Sequence, residues 1–141
     1  MKVSLATQVL SRTVAAGIST HVLLQTMPNE AAETATFIER FDKLFDSVNC
    51  STFKDMKKNR RPVNCMSYHE NFWQDSLDWL NELECLNAKA RIYCIDGWKL
   101  TVKAFILLWS DLKKSMKFLM TRKVNQDCLE NFFRSETTRW M

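Results

Sequence analysis

The side chains whose spacing is most suited to chemistry lie near the end of the chain. Asp127 and Glu130 are three residues apart in a predicted helix, so both carboxylates lie on one face and can serve one locality. Arg122 and Lys123 precede them, and Asn125 can cap the helix, an arrangement suited to holding phosphates or a metal ion. Acidic residues in a first helical turn are also ordinary helix chemistry, because they complement the helix dipole. The pattern alone leaves a structural role and a ligand-binding role open.

The elements that position these side chains are expected to be helices. The chain has 141 residues, about the length of one domain, and contains two glycines and two prolines. With so few residues that turn the chain, long helices are the economical arrangement. The hydrophobic content of 46% and the charged content of 26% are typical of a globular protein and exclude wholesale disorder.

The spacing of apolar residues predicts the individual helices and a mainly α fold. Between residues 37 and 48, apolar side chains recur at i, i+3, i+4 and i+7, the clearest amphipathic pattern in the chain. Similar spacing predicts further helices over residues 3–24, 67–86, 100–120 and 125–138. The apolar stretch 92–98 is interrupted by Asp96 and Gly97, which predicts a turn or a short strand there.

Two features have both a structural and a functional interpretation. Trp73 and Trp79 are expected to pack in the core, because buried aromatic residues dominate small helical cores, and the alternative is stacking on a nucleotide base. Five basic residues between positions 54 and 61 precede Pro62. They are expected in an exposed loop, and a phosphate-contacting strip or a nuclear localisation patch are the functional alternatives.

Composition excludes several classes of protein and site. The five cysteines are odd in number and form no CxxC pair, which argues against a zinc site and against a secreted disulfide framework. No signal peptide is visible, and the most apolar run, Ala104 to Trp109, is too short to cross a membrane. Two glycines cannot build a Walker or GxGxxG loop. A soluble intracellular protein is expected, and the net charge of +4 permits contact with nucleic acid without requiring it.

Three blocks of the sequence resemble one family. Residues 125–133 read Asn-Gln-Asp-Cys-Leu-Glu-Asn-Phe-Phe, which resembles the signature that closes the catalytic core of P element-type (THAP-related) transposases. Residues 2–16 resemble the opening of that family's GTP-binding insertion domain, and residues 37–49 resemble its next helix. The blocks occur in the family's order and span almost the whole chain.

The resemblance implies a domain organisation and a cofactor. Residues 1–120 would form the helical GTP-binding insertion domain, and residues 121–141 would begin the RNase H-like segment that follows it. In the family the inserted domain binds GTP as a cofactor that is not hydrolysed and that assembles the transposase with DNA. The resemblance therefore implies a nuclear protein with GTP, DNA and other transposase subunits as partners.

Matching positions in the resembling blocks assigns candidate ligands for GTP. Asp127 falls where the family's guanine-reading aspartate lies, and a carboxylate can accept two N–H bonds from the Watson–Crick edge of guanine, whereas adenine offers no matching pair of donors. Asp46 and Asn49 fall in the helix that lines the nucleotide. Lys2 is suited to a phosphate contact, and Val3 is suited to packing on the base.

Glu130 aligns with the third acid of the family's catalytic Asp-Asp-Glu set, which holds two divalent metals, usually Mg²⁺. The two aspartates of that set lie upstream of the region that this chain resembles, so the chain is expected to be catalytically incomplete alone. A truncated gene product and a domesticated fragment that retains nucleotide binding are both compatible with this expectation. A different class of function, a helical module that binds protein or DNA and no nucleotide, remains the alternative.

Overall fold

The structure, a computed structural model, describes residues 8–83 and 93–125. Four α-helices dominate these ranges, which confirms the predicted mainly α fold. They are α1 (Arg12–Leu23), α2 (Ala31–Val48), α3 (His69–Glu82) and α4 (Tyr93–Leu112), with short 3-10 turns at Lys58–Arg60 and Thr121–Val124. The chain divides into two compact units, Met1–Asp46 and Ser47–Met141, and the division falls in the last turn of α2.

Helix α1 begins later than the apolar pattern predicts. Gln8 and Val9 are helical, but the chain turns at Leu10 and a new helix starts after Ser11. The hydroxyl of Ser11 accepts a hydrogen bond from the backbone N–H of Val14 at 3.4 Å, the usual role of a serine at a helix start. The single helix predicted from residue 3 to residue 24 is therefore wrong at this point, because the apolar stripe does not reveal a serine cap in its middle.

The first unit contains a small core between α1 and α2. Ala15 on α1 packs with Ala35 and Ile38 on α2, and Ile18 lies against this group. The connection between the two helices includes Gln25, which adopts a left-handed backbone conformation with φ of 58°. The small alanines bring the helices close together, while the isoleucines supply apolar area.

Helix α2 confirms the strongest amphipathic prediction. Ile38, Phe41 and Leu44 are buried along one stripe. On the other face, Glu39 and Lys43 form an ion pair of 3.0 Å at the i, i+4 spacing that suits an exposed helix surface.

In the second unit, α3 and α4 pack against each other. Trp73 on α3 is fully buried, and its ring centroid lies 5.5 Å from that of Phe105 on α4. Leu80, Val102 and Trp109 are also buried. The predicted core role is therefore confirmed for Trp73, whose indole N–H donates to the hydroxyl of Ser47.

The prediction of a turn or strand over residues 92–98 is wrong, because α4 runs through Asp96 and Gly97 without a break. Asp96 lies in the first turn of α4, where its carboxylate interacts favourably with the positive end of the helix dipole and stabilises the helix. Gly97 is tolerated because the rest of the helix supplies enough packing to outweigh the low helix propensity of one glycine.

The helix predicted up to residue 120 ends at Leu112. Leu119 instead forms an antiparallel bridge with Val63, with backbone hydrogen bonds of 2.8 and 3.0 Å, and both side chains are buried. This long-range pairing overrides the local apolar spacing that favoured a helix. The predicted domain boundary between residues 120 and 121 stays a prediction, and the last predicted helix lies outside the described residues beyond Asn125.

Candidate functional site

Two asparagines that are far apart in the sequence lie together at the centre of the candidate site. The side-chain amide of Asn125 donates to the side-chain oxygen of Asn49 at 3.2 Å. Asn49 is the first residue after α2, and Asn125 follows the 3-10 turn Thr121–Val124. The hydrogen bond therefore joins the end of α2 to the segment that leads towards Asp127.

Thr121 fixes that segment in place from the interior. Its hydroxyl accepts a hydrogen bond from the backbone N–H of Cys50 at 2.8 Å and donates to the backbone carbonyl of Ser47 at 3.1 Å. Thr121 is completely buried. The carbonyl of Ser47 is one of the last in α2 and lacks a partner within the helix, so Thr121 acts as a cap supplied from a distant part of the chain.

Further hydrogen bonds extend this contact on both sides. The backbone N–H of Arg122 donates to the carbonyl of Cys50 at 3.1 Å. The hydroxyl of Ser47 accepts from the indole N–H of Trp73 at 2.9 Å. The segment around Thr121 is thus tied through Ser47 to α3, and the position of Asn125 is set by a network of buried polar groups. Such a network holds one arrangement when its members are satisfied.

Cys50 lies beneath this site and has a structural role. Its side chain is fully buried, and burial raises the pKa of its thiol. The thiol is therefore uncharged near neutral pH and behaves as a small apolar group.

Asp46 lies in the last turn of α2 and is 3% exposed. Burying a carboxylate costs free energy unless polar groups compensate it, so its surroundings must supply hydrogen bonds or charge. Its role as a nucleotide ligand stays a prediction, and it belongs to the first of the two units, whereas Asn49 belongs to the second.

Four of the predicted site residues, Lys2, Val3, Asp127 and Glu130, lie outside the described residues. Of the six predicted residues, the structure therefore places Asp46 and Asn49. Within residues 8–83 and 93–125 no three histidine, cysteine or acidic side chains are grouped as metal ligands would be. The same part of the chain contains no helix long and apolar enough to cross a membrane.

The sequence did not reveal Thr121 and Ser47 as parts of the site. The hydrogen bond between them joins positions 74 residues apart, and no local pattern marks such a contact. Asn125 had a signal, since its position suggested a helix cap, but its bond to Asn49 had none.

His69 has a structural role at the start of α3. It is almost fully buried, its Nε2 lies 3.2 Å from the carbonyl oxygen of Asn59, and burial lowers the pKa of its imidazole. The neighbouring Tyr68 hydroxyl donates to the side-chain oxygen of Asn59, so both aromatic residues hold the loop that precedes the helix.

Two comparisons with known proteins found a match to this chain. Residues 1–61 match the family described as TNP-like, GTP-binding insertion domain. The fold matches the structure titled "Drosophila P element transposase strand transfer complex" with a TM-score of 0.80 and 25% sequence identity over 95% of this chain. This chain spans 31% of the Drosophila chain. No curated protein matches the sequence. The family match includes Lys2, Val3, Asp46 and Asn49, and the structural match extends over almost the entire chain.

Proposed function

We propose that this chain is part of a P element-type transposase and that it binds GTP with its helical insertion domain. GTP would act as a cofactor that assembles the transposase with DNA and is not hydrolysed. The observation that carries the proposal is the hydrogen bond between Asn49 and Asn125. This bond joins the end of α2 to the segment that leads to Asp127, the predicted guanine-reading residue. The end of α2 lies within the range that matches the GTP-binding family.

Covalent geometry makes this contact relevant to Asp127. Asp127 follows Asn125 by two residues, which span at most about 7 Å of chain, so we assign the guanine site to the region of the Asn49–Asn125 pair. The carboxylate would accept hydrogen bonds from the N1 and N2 positions of guanine. Asn49 is half-buried, and its amide can offer a further polar contact to the nucleotide while its oxygen holds Asn125.

The remaining ligands follow from the resemblance. We assign the phosphate contact to Lys2, the packing on the base to Val3, and a supporting polar contact to Asp46. A cation near the phosphates and an apolar side chain against the base are the usual chemistry of a nucleotide site.

Glu130 would act only in a complete catalytic core. One carboxylate cannot hold the two Mg²⁺ ions that activate the attacking hydroxyl and stabilise the leaving oxygen. We therefore propose that the chain alone neither cuts nor joins DNA. DNA, further transposase subunits and a nuclear location belong to the intact transposase in this proposal.

The proposal is tested by calorimetric titration. GTP and, as a control, ATP are titrated into the unchanged chain and into an Asp127→Ala variant. We expect GTP to bind and ATP to bind far more weakly. Hydrogen bonds to a charged group contribute about 1.5–3 kcal/mol each, so loss of two should weaken GTP binding by at least about a hundredfold. Asp111→Ala, which removes an exposed carboxylate on α4, is the matched control and should leave GTP affinity unchanged.

The alternative function is a helical module that binds protein or DNA without a nucleotide. The exposure of Lys54, Lys58 and Arg60 on the loop before Pro62 is the observation that favours it. In that case the folded chain would bind DNA with a steep dependence on salt and would show no heat of GTP binding. Circular dichroism on each variant separates this outcome from loss of the fold.

A further inference from the structure

Two short segments carry half of the basic residues of the chain. Residues 53–61 contain five basic side chains and one acidic side chain, and residues 113–123 contain five basic side chains and no acidic one. Together they carry a net charge of +9, whereas the whole chain carries +4, so the remaining residues carry a net −5. The positive charge is therefore concentrated in two places that are about 60 residues apart in sequence.

The fold brings these two segments together. Phe53 and Phe118 are in ring contact, with centroids 4.8 Å apart in an edge-to-face arrangement. The bridge between Val63 and Leu119, the residue after Phe118, connects the second segment to the chain just after the first segment. The backbone hydrogen bond from Arg122 to Cys50 adds a third connection, so the second segment is held against both ends of the loop that contains the first.

Most of the charged groups on the two segments lie at the surface. Eight of the ten basic residues are exposed, and Lys57 and Lys113 are half-buried. Lys113 forms an ion pair of 2.9 Å with Glu70, and Asp55 accepts hydrogen bonds from within its own loop. These acidic residues offset part of the charge and leave a strongly basic surface.

The aromatic pair lies at the surface of the same region. Phe53 is 57% exposed and Phe118 is 42% exposed. Each ring has a basic neighbour in sequence, Lys54 after Phe53 and Lys117 before Phe118, and both lysines are exposed. The ring contact therefore brings exposed aromatic surface into a region with two exposed basic residues.

We propose that Phe53 and Phe118, with the basic residues of segments 53–61 and 113–123, form a binding surface for single-stranded DNA. Exposed aromatic rings stack on unpaired bases, and lysine and arginine side chains contact the phosphates between them. Duplex DNA fits this surface less well, because its bases are already stacked on each other. The inference rests on the proposed transposase function only for the choice of DNA, and it does not require GTP to bind.

The test measures the fluorescence anisotropy of a labelled 20-nucleotide oligo(dT) strand and of a 20-base-pair duplex, titrated with the full chain. The single strand should bind at least about fivefold more tightly than the duplex at low salt. A Phe53→Leu/Phe118→Leu double variant keeps apolar bulk but removes both rings, and it should weaken binding of the single strand by about tenfold or more. A Phe45→Leu variant changes another exposed phenylalanine, on α2, and should bind the strand as the unchanged chain does.

A second variant tests the charges without disturbing the fold. Lys54→Gln/Lys58→Gln/Lys117→Gln changes three exposed side chains, and removal of three phosphate contacts should reduce the slope of log affinity against log salt by about 2. Lys103→Gln, an exposed lysine on α4, is the control and should leave the slope unchanged.

GTP titration of the same proteins separates this inference from the proposed function. GTP binding that persists in the phenylalanine and lysine variants while strand binding falls would support a separate DNA surface. A chain that binds GTP but no DNA would overturn the inference and leave the proposed function standing. Equal affinity for strand and duplex, or unchanged strand binding without the rings, would also overturn it.

Discussion

At the scale of single residues, Thr121 determines whether the candidate site holds together. Its hydroxyl satisfies the backbone N–H of Cys50 and a carbonyl at the end of α2, and both groups are remote from solvent. Valine has a similar shape to threonine and cannot form either hydrogen bond. Replacement of this one side chain therefore isolates the contribution of the polar network from that of packing.

We expect Thr121→Val to lower the free energy of unfolding by about 1–3 kcal/mol, because buried polar groups lose their partners. Urea denaturation followed by circular dichroism measures the change. Thr36→Val is the control, since the hydroxyl of Thr36 is exposed and bonds only to the carbonyl of Ala32 in its own helix. If both substitutions have the same small effect, the network does not hold the segment in place.

The residue scale also shows where prediction from sequence ends. Family resemblance pointed to Asn49, and helix chemistry pointed to Asn125, but neither indicated that the two side chains touch. The cap that Thr121 supplies to α2 is equally invisible, because a helix-end pattern identifies partners only within a few residues. Contacts of this range depend on the complete path of the chain between them.

At the scale of elements, the four helices differ in how clearly the sequence pattern predicts them. Helix α2 was predictable because its apolar residues follow the helical repeat over three turns and charged residues fill the other face. The start of α4 was not, because Asp96-Gly97 is a turn signal whose local preference is outweighed by the packing of α4 on α3. The end of α4 was missed because the pairing of Leu119 with Val63 competes with a helical continuation.

Gly97 gives a direct test of the uninterrupted α4. An added Cβ at this position would meet no described atom within 4 Å, and the residue is exposed. In a helix, alanine is favoured over glycine because it loses less backbone entropy on folding, so Gly97→Ala should stabilise the protein by about 0.5–1 kcal/mol.

The shift in the midpoint of urea denaturation measures this effect. Gly17→Ala is a parallel substitution at an exposed position in α1, with the same open surroundings and the same expected sign. Destabilisation by Gly97→Ala with stabilisation by Gly17→Ala would show that residues 96 and 97 form a turn after all.

At the scale of the whole molecule, two comparisons cover different lengths of the chain: a family model matches its first 61 residues, and a solved structure matches 95% of its length. The match to a GTP-binding insertion domain covers residues 1–61, while the contact network of Ser47, Cys50 and Thr121 connects the end of that range to the segment near Asp127. The mainly α architecture was predicted from the sequence. The joining of the two ends of the site followed only from the structure.

The two proposed binding surfaces are assigned to neighbouring parts of the chain. The nucleotide site is assigned to the region of Asn49 and Asn125, and the DNA surface to the aromatic pair and its basic neighbours. The backbone hydrogen bond from Arg122 to Cys50 involves residues that lie next to both regions along the chain. The two surfaces therefore belong to one continuous packing of residues 49–63 with residues 118–125.

The most direct test of the central claim is a calorimetric comparison of GTP, ATP and XTP binding by the unchanged chain and an Asp127→Asn variant. The amide of asparagine offers one donor and one acceptor, which match the carbonyl and N–H of xanthine as the carboxylate matches the two N–H groups of guanine. We predict that the unchanged chain selects GTP and that Asp127→Asn reverses the preference towards XTP, a gain that misfolding cannot produce. Equal weakening of all three nucleotides by the substitution, in a variant whose helical circular dichroism is unchanged, would contradict guanine reading by Asp127.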